Sequence, residues 1–390
     1  MLKSLFRRTS LGARFVERIF DYKIYITSIF DGHITCKFHK HYEIDYSKDV
    51  VIVFYCGIGD FLYGVPILKE IKRRSKKKLI AYVGSVTNNF NNSSVADIAK
   101  SLNIFDEIVS YYPSRPNYWK NLDISYIVNN ELNAGIYNFV YNVNNQESSR
   151  LKALSNQFDL KSHPFSLLNA INVDSYKPNE GVICLLNKIQ KTNKDTVFLH
   201  LDTRSGEYVY PYIVKLMHSL IKAGFNVLIF TPQIKANSKQ ESEMFDFILK
   251  SESMFIMHPK AYIQDTLFAF NKLNPYTISV NSIFWPLTHI CSSKTLAIHY
   301  IDSGDGHQFF HEQMYFLTSN KLSYKKIKKQ ILKNSSHKFY FIKKKRYLQS
   351  RICLPNSYDY DVDKKGYISY HPDFIMSLFM NYVVNDKIKS

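Results

Sequence analysis

The stretch VIVFYCGIGDFLYGVPILKEI (residues 51–71) joins a strand pattern, a glycine turn and a helix pattern in one short segment. An uninterrupted apolar run ends at a Gly-x-Gly-Asp turn, and apolar residues then recur at helical spacing. The helical positions are Leu62, Val65, Leu68 and Ile71. This order is typical of a buried parallel strand followed by a ligand loop and a helix, and it predicts an α/β fold.

The same alternation continues on both sides of a polar stretch, NVDSYKPNEG (172–181). The further strand candidates are KLIAYV, FDEIVSYY, LDISYIV and YNFVYNV before it, and TVFLHL, NVLIF, YTISV and TLAIHYI after it. Helical patterns lie between them, and the helix after TVFLHL is predicted to end at Gly224. Two doubly wound, Rossmann-like domains are therefore expected, with ligands at the carboxyl ends of the strands.

The domain boundaries follow from these patterns. We predict a basic amphipathic N-terminal segment (1–45), a first Rossmann-like domain (46–175), a second Rossmann-like domain (176–370) and a C-terminal helix (371–390). The first twenty residues place Leu and Phe near one helical stripe and spread Lys and Arg over the rest. Such a segment can lie on an anionic membrane or pack on its own domain, and the sequence leaves both open.

The charge and the cysteine pattern of the chain limit the kinds of partner to be expected. The 51 Lys and Arg residues outnumber the 33 Asp and Glu residues, and the net charge is +18. Such a charge suits nucleic acid, an anionic membrane or phosphorylated substrates. No zinc-finger, basic-zipper or RNP-type signature occurs, so nucleic acid is not an expected partner. The five cysteines form no C-x-x-C pair, which argues against a disulfide framework and a zinc site.

The expected location is cytoplasmic. No apolar run reaches the ~18 residues needed to cross a bilayer, and the N-terminus lacks the pattern of a signal peptide. The basic N-terminal segment adds the alternative of a peripheral position on the inner face of the cytoplasmic membrane.

Two roles are open to Asp60 of the Gly-x-Gly-Asp turn. Gly57 and Gly59 permit unusual backbone conformations and let a ligand approach the main chain. Asp60 stands at the start of a helix, where its carboxylate can cap free N–H groups or act as a general base. Residue type alone favours the cap.

The turn, Pro66 and the helix that follows resemble the opening of the ADP-heptose:lipopolysaccharide heptosyltransferase family. The segment YNFVYNVNNQESSRLKAL (137–154) resembles its second marker, with Asn138 and Asn142 where the family usually has Asp. SLLNAIN, VFLHLDTRSGEYVYP and residues 254–301 resemble its interdomain, donor-loop and donor-core segments. The likeness covers about residues 50–300.

The resemblance implies a GT-B fold, in which two Rossmann-like doubly wound domains face each other across a cleft and a C-terminal helix packs back. It implies an inverting, metal-independent hexosyl or heptosyl transferase with no cofactor. The substrates would be a nucleotide-sugar donor and a glycolipid, oligosaccharide or polysaccharide acceptor of lipopolysaccharide, O-antigen or capsule synthesis. A phosphorylated acceptor would suit the basic charge.

The resemblance also assigns roles to residues. It makes Asp60 the general base that accepts the proton of the acceptor hydroxyl, and it outweighs the cap interpretation. The acceptor-side residues are Gly57, Gly59, Gln146 and Arg150. On the donor side, Thr203, Arg204 and Ser205 are the expected phosphate ligands. The family's Lys before a Trp-Pro is absent here, so Arg204 would supply the cation; the alternative is an Arg on a solvated loop.

A third loop has two candidate registers. The family carries Asp-Ser-Gly-x-x-His after a strand, and by order Asn281 and Ser282 take that place, with His289 shifted along the helix. A literal match, DSGDGH, occurs later and supplies Asp302, Ser303, Gly304 and His307. We prefer the first register because it keeps the strand–helix–strand order, and we expect the second loop to line the same cleft.

Two other functions stay open from the sequence. A polysaccharide pyruvyl transferase also has a GT-B-like architecture and an early Gly-Asp turn, although Pro66 and the NQESSR segment argue against it. A non-catalytic GT-B-like assembly protein is supported by Asn138, Asn142 and Asn281, which stand where the family has acids.

Overall fold

The computed structural model describes most of the chain from residue 43 onward. The described ranges are 43–54, 57–84, 95–111, 134–139, 150–160, 165–167, 169–173, 176–201, 208–230, 239–257, 263–280, 284–291, 293–298, 314–317, 352–353, 357–364 and 367–387. The chain forms two compact units and passes from the first to the second between Phe165 and Ser166. The predicted N-terminal segment lies almost wholly outside these ranges.

The first unit contains a four-stranded parallel sheet. Its elements in chain order are β1 (Val50–Phe54), α1 (Ile58–Arg74), β2 (Leu79–Gly84), α2 (Val95–Leu102), β3 (Glu107–Tyr111), β4 (Gly135–Phe139) and α3 (Arg150–Gln157). The strand order is β3-β2-β1-β4, and every pair is parallel. All five residues of β1 are buried because the strand lies inside the sheet, which explains its uninterrupted apolar run.

The second unit is built on a seven-stranded parallel sheet. Its helices are α4 (Glu180–Lys191), α5 (Ile213–Lys222), α6 (Lys239–Leu249), α7 (Ile263–Leu273) and α8 (Phe284–Ile290). Its strands are β5 (Thr196–His200), β6 (Asn226–Ile229), β7 (Met254–Ile256), β8 (Tyr276–Val280), β9 (Thr295–Ile298), β10 (Met314–Leu317) and β11 (Ile352–Cys353). The order is β11-β10-β9-β8-β5-β6-β7. The predicted fold class, α/β with two doubly wound parallel sheets, is confirmed.

The predicted end of α5 is also confirmed. Gly224 has φ of +91°, a left-handed conformation that favours glycine. The N–H of Phe225 donates to the carbonyl of Leu220 at 3.1 Å, and the N–H of Gly224 donates to that of Ile221 at 3.0 Å. These two bonds form a Schellman motif, which satisfies the last carbonyls of the helix.

The C-terminal part of the chain packs on the second unit. An antiparallel hairpin of β12 (Tyr360–Val362) and β13 (Ile368–Tyr370) is followed by helix α9 (Pro372–Lys387). Phe379 of α9 is fully buried, and its ring contacts those of Phe225 and Tyr276. The predicted C-terminal helix therefore closes the core of the second unit.

Several short strands were not predicted, and one predicted strand lies outside the described residues. The strands β7, β10 and β11 and the hairpin have only two to four residues each, too few to show a periodic pattern. The strand candidate LDISYIV (122–128) lies outside the described ranges. Among the described residues, no helix is both long and apolar enough to cross a membrane.

Candidate functional site

The Gly-x-Gly-Asp turn lies where the strand order of the first sheet reverses. From β1 the chain builds β2 and β3 on one side and then returns to add β4 on the other. Phe54 and Phe139, the last residues of β1 and β4, are partners in the parallel register. Ligands of open α/β sheets bind outside the carboxyl ends of the strands at such a reversal. Asp60 is therefore mounted at the expected position of a ligand site.

The residue at which α1 begins bears on whether Asp60 is the N-cap of the helix or a general base. Gly57 is the N-cap residue, with φ of −70° and ψ of 165°, and α1 begins at Ile58. Asp60 is thus the third helical residue rather than the N-cap, and it is half-buried. A carboxylate in the first turn is stabilised by the partial positive charge of the helix N-terminus. This location suits both structural and chemical roles, so the general-base role stays a prediction.

Glycine is among the preferred N-cap residues, but neither packing nor backbone geometry requires it at position 57. Its φ is open to any residue, and a Cβ added to Gly57 would meet none of the atoms described within 4 Å. As the N-cap residue, Gly57 makes no side-chain hydrogen bond to the N–H groups of the first helical turn. Gly59, the second residue of α1, is half-buried. Open space above a glycine at a sheet reversal is suited to a ligand that approaches the backbone.

Gly64, which sequence reasoning missed, has a packing role that positions Asp60. A Cβ at Gly64 would lie 2.2 Å from Cζ of Phe139, far inside contact distance. Helix α1 therefore approaches β4 at this glycine, one turn after Asp60. The available signal was the Gly-Asp-x-x-x-Gly spacing, which places Gly64 four residues after Asp60 on the same side of the helix.

The predicted acceptor-side segment follows β4, the strand adjacent to β1. Asn138 pairs in register with Val53, and Arg150 is the first residue of α3. Gln146 and Asn142 lie outside the described residues, as does the side chain of Arg150. Because β1 and β4 are parallel neighbours, the segment leaves the sheet at the same edge as the Asp60 turn.

The second sheet repeats this arrangement around β5 and β8. From β5 the chain builds β6 and β7 on one side, and β8 to β11 on the other. His200 at the end of β5 is the register partner of Ser279 in β8. The sheet reverses between these two strands, so the segments that follow them begin side by side.

Nine of the ten predicted donor residues follow β5 or β8, which flank this reversal, or the neighbouring strand β9. Thr203, Arg204 and Ser205 come after β5, Asn281 and Ser282 after β8, and Asp302, Ser303, Gly304 and His307 after β9, the next strand outward. These nine residues lie outside the described ranges. The strand–helix–strand order of the first register, β8-α8-β9, is present. The backbone N–H of Tyr210 donates to the carbonyl of Leu201 at 3.1 Å, which pairs the two ends of the segment after β5.

His289 is the one predicted donor residue whose side chain is described. It lies in the last turn of α8, and desolvation lowers its pKa to about 4. The imidazole is therefore neutral at neutral pH. It can donate one hydrogen bond but brings no positive charge to a diphosphate.

His200 was not predicted, although it ends β5 at the reversal. Its ring centroid lies 4.4 Å from that of Phe284, the first residue of α8, and the side chain is half-buried. A polar ring at the end of an otherwise buried strand was the available signal. Its position makes His200 a further candidate for contact with a ligand bound at β5 and β8.

The described part of the chain contains no group of three His, Cys, Asp or Glu residues that could hold a metal ion. The Asp-x-Asp pattern of YDYDVD lies in and beside β12. Asp361 accepts a hydrogen bond from Tyr212 and lies 3.2 Å from Nε2 of His371. Asp363 accepts the backbone N–H of Tyr367 at 2.9 Å. These two carboxylates thus have local structural partners.

Comparison with solved structures shows which fold this is. A glycosyl transferase of family 9 from Veillonella parvula is similar over 78% of this chain and 94% of its own, with a TM-score of 0.51 and 10% identity. E. coli heptosyltransferase WaaC with ADP aligns over 69% of this chain and 92% of its own (TM-score 0.44, 11% identity). E. coli ADP-heptose lps heptosyltransferase II aligns over 69% and 89% (TM-score 0.42, 8% identity).

No protein-family model and no curated protein sequence matches the chain. At 10% identity the likeness to the Veillonella protein concerns the fold alone. This chain thus shares the two-unit parallel-sheet architecture of a glycosyltransferase structure.

Proposed function

We propose that the protein is an inverting, metal-independent glycosyltransferase. It would move a hexosyl or heptosyl group from a nucleotide sugar to a glycolipid, oligosaccharide or polysaccharide of lipopolysaccharide, O-antigen or capsule synthesis. One observation carries the proposal. In each parallel sheet, predicted ligand segments follow both of the strands that flank the reversal of strand order. The shared fold with a glycosyl transferase of family 9 supports the same function.

The first unit would bind the acceptor. Asp60 takes the proton of an acceptor hydroxyl, whose oxygen attacks the anomeric carbon of the donor. The new C–O bond forms as the bond from that carbon to the diphosphate breaks, and the nucleoside diphosphate leaves. Gly57 and Gly59 let the sugar approach the backbone at the start of α1, and Gln146 and Arg150 would orient it.

The second unit would bind the donor and stabilise the negative charge of the leaving diphosphate. Arg204 supplies the cation, while Thr203, Ser205, Asn281 and Ser282 supply uncharged donors. His289 is neutral and can only add a hydrogen bond. Asp302 and His307, after the next strand, would contact the ribose or the sugar rather than the phosphates.

The first experiment replaces the proposed base. Asp60→Asn keeps the size of the side chain but cannot accept the proton, so turnover should fall by at least ~10²-fold while donor binding persists. Asp97→Asn is the matched control, since Asp97 is also the third residue of a helix in the first unit and is exposed. Normal turnover of the Asp60 variant would refute its role as base.

A second experiment distinguishes the donor registers by calorimetry with a bare nucleoside diphosphate. Ser282→Ala and Arg204→Ala should each weaken binding by ~1–3 kcal/mol, as expected for hydrogen bonds to a charged group. Asp302→Ala should leave the affinity nearly unchanged, because a carboxylate and a phosphate repel each other. The reverse pattern would select the second register. Failure of the wild-type protein to bind any nucleotide sugar in a thermal-shift panel would favour the non-catalytic alternative.

A further inference from the structure

The end of α1 and the turn after it carry an unusual concentration of positive charge. Residues 69–78, KEIKRRSKKK, contain seven Lys and Arg residues and one acid. That acid, Glu70, is buried and accepts hydrogen bonds from both Arg73 and Arg74 at 2.7 Å. Lys72 pairs with Asp106. Arg73 and Arg74 therefore share one carboxylate, and the segment keeps a large positive excess.

Four lysines of this segment have no such partner. Lys69, Lys76, Lys77 and Lys78 are exposed, and in the described ranges no carboxylate lies within ion-pair distance of their side chains. Basic residues in the last turn of a helix interact favourably with its dipole, which accounts for Lys72, Arg73 and Arg74. That explanation does not reach Lys76, Lys77 and Lys78, which follow the helix end.

The charged turn is continuous with the point where the N-terminal segment joins the first unit. The N–H of Lys76 donates to the carbonyl of Tyr46 at 3.3 Å, and the N–H of Lys78 donates to the carboxylate of Asp49 at 3.0 Å. Exposed Lys48 lies in the same stretch. We call Lys48, Lys69, Arg73, Lys76, Lys77 and Lys78 the basic edge. It lies at the amino ends of β1 and β2, and the Asp60 turn lies at the carboxyl end.

We propose that the basic edge docks the first unit on the anionic surface of a lipid bilayer. These exposed lysines make the surface strongly positive, and such a surface attracts an anionic partner. The chain before residue 43 is predicted to be amphipathic, with Leu and Phe on one stripe, and it reaches the fold at this edge. Apolar side chains can be buried at the boundary between headgroups and acyl chains of a bilayer. A nucleic acid has a polyanionic surface and no such apolar region. The two features together favour a membrane.

The experiment uses the full chain and vesicles of phosphatidylcholine with or without phosphatidylglycerol. In the edge variant, Lys69, Lys76, Lys77 and Lys78 are each replaced by Gln, which keeps a long polar side chain. Each lysine near an anionic surface contributes about fivefold to binding, so the variant should bind the anionic vesicles ~10²-fold or more weakly. Both proteins should bind pure phosphatidylcholine vesicles more weakly than the wild type binds the anionic vesicles. Added salt should weaken the binding of the wild type to the anionic vesicles.

A matched control separates this surface from net charge. In the control variant the same number of exposed lysines of the second unit is replaced by Gln: Lys188, Lys191, Lys222 and Lys250. It should bind anionic vesicles like the wild type. Equal loss of binding in both variants, or no loss in the edge variant, would overturn the proposal.

Two further measurements keep the conclusion unambiguous. A short RNA duplex tests the other anionic partner. If the wild type binds this duplex more tightly than it binds the anionic vesicles, and the edge variant does not bind the duplex, the basic edge is a nucleic-acid surface and the proposal is overturned. The Asp60→Asn protein should bind vesicles like the wild type, because docking does not depend on transfer. Failure of the proposed chemistry would therefore leave this result unchanged, and the two proposals can fail separately.

Discussion

Replacing Gly64 by Ala tests how α1 is held against β4. Helix propensity alone predicts a gain in stability, since Gly inside a helix is ~0.5–1 kcal/mol worse than Ala. The structure predicts a loss. The added Cβ would lie 2.2 Å from Cζ and 2.6 Å from Cε2 of Phe139, whereas carbon atoms in contact normally lie about 3.5–4.0 Å apart.

Phe139 has little room to move away. Its side chain is fully buried, and its ring centroid lies 5.0 Å from that of Phe54 and 6.1 Å from that of Phe158. Overpacking of this kind typically costs ~1–3 kcal/mol, and such a short contact belongs at the upper end. After the propensity gain is subtracted, Gly64→Ala should lower the free energy of unfolding by about 2 kcal/mol.

Urea denaturation followed by circular dichroism measures this change. Phe139→Leu in the same chain should relieve the contact, so the double variant should lose less stability than the sum of the two single variants, by ~0.5–3 kcal/mol. Gly57→Ala is the control for added volume: a Cβ there meets no described atom within 4 Å, so it should lose only the preference for Gly over Ala at an N-cap. A Gly64→Ala protein as stable as the wild type would refute the packing explanation. Any folded Gly64→Ala protein should also turn over slowly, since a ~1 Å displacement of Asp60 can cost ~10²-fold in rate.

Three other predictions concern hydrogen bonds, charge and backbone conformation. Tyr210 donates to the carbonyl of Tyr370 at 2.6 Å, and burial raises the pKa of its phenol, so Tyr210→Phe should cost about 1–3 kcal/mol in urea denaturation by leaving a buried acceptor unpaired. The hydrogen bond from Arg73 lowers the pKa of Glu70 from 4.5 to about 2, so its stabilisation should be complete above pH 4.5 and disappear toward pH 2. The stability difference between wild type and Glu70→Gln should therefore shrink across that window in denaturant titrations; a constant difference would contradict the assignment. Gly224→Ala should lower the melting temperature because φ of +91° costs ~1–2 kcal/mol for a residue with a Cβ; an unchanged melting temperature would show that the helix end rearranges.

The sequence by itself determined the fold class and the places where ligand segments begin. β1 and β5 lie inside parallel sheets, so β1 is apolar at every position and β5 at its three central positions. The end of α5 was equally readable, because a left-handed residue after a helix is usually glycine. These features depend on neighbours in the chain, so a local pattern is enough to predict them. The family resemblance added the expected roles of Asp60 and the donor segments, which stay predictions.

Only the tertiary structure decided which strands are neighbours and what surrounds a given side chain. Periodicity marks β1, β4, β5 and β8 as strands but does not state that β1 pairs with β4 or β5 with β8, and those pairings place the two reversals. The requirement for glycine at position 64 depends on a ring from β4. Tyr210 reaches a carbonyl of Tyr370, 160 residues away. Contacts between distant parts of a chain arise when buried surfaces pack, and packing depends on the whole fold rather than on any short pattern.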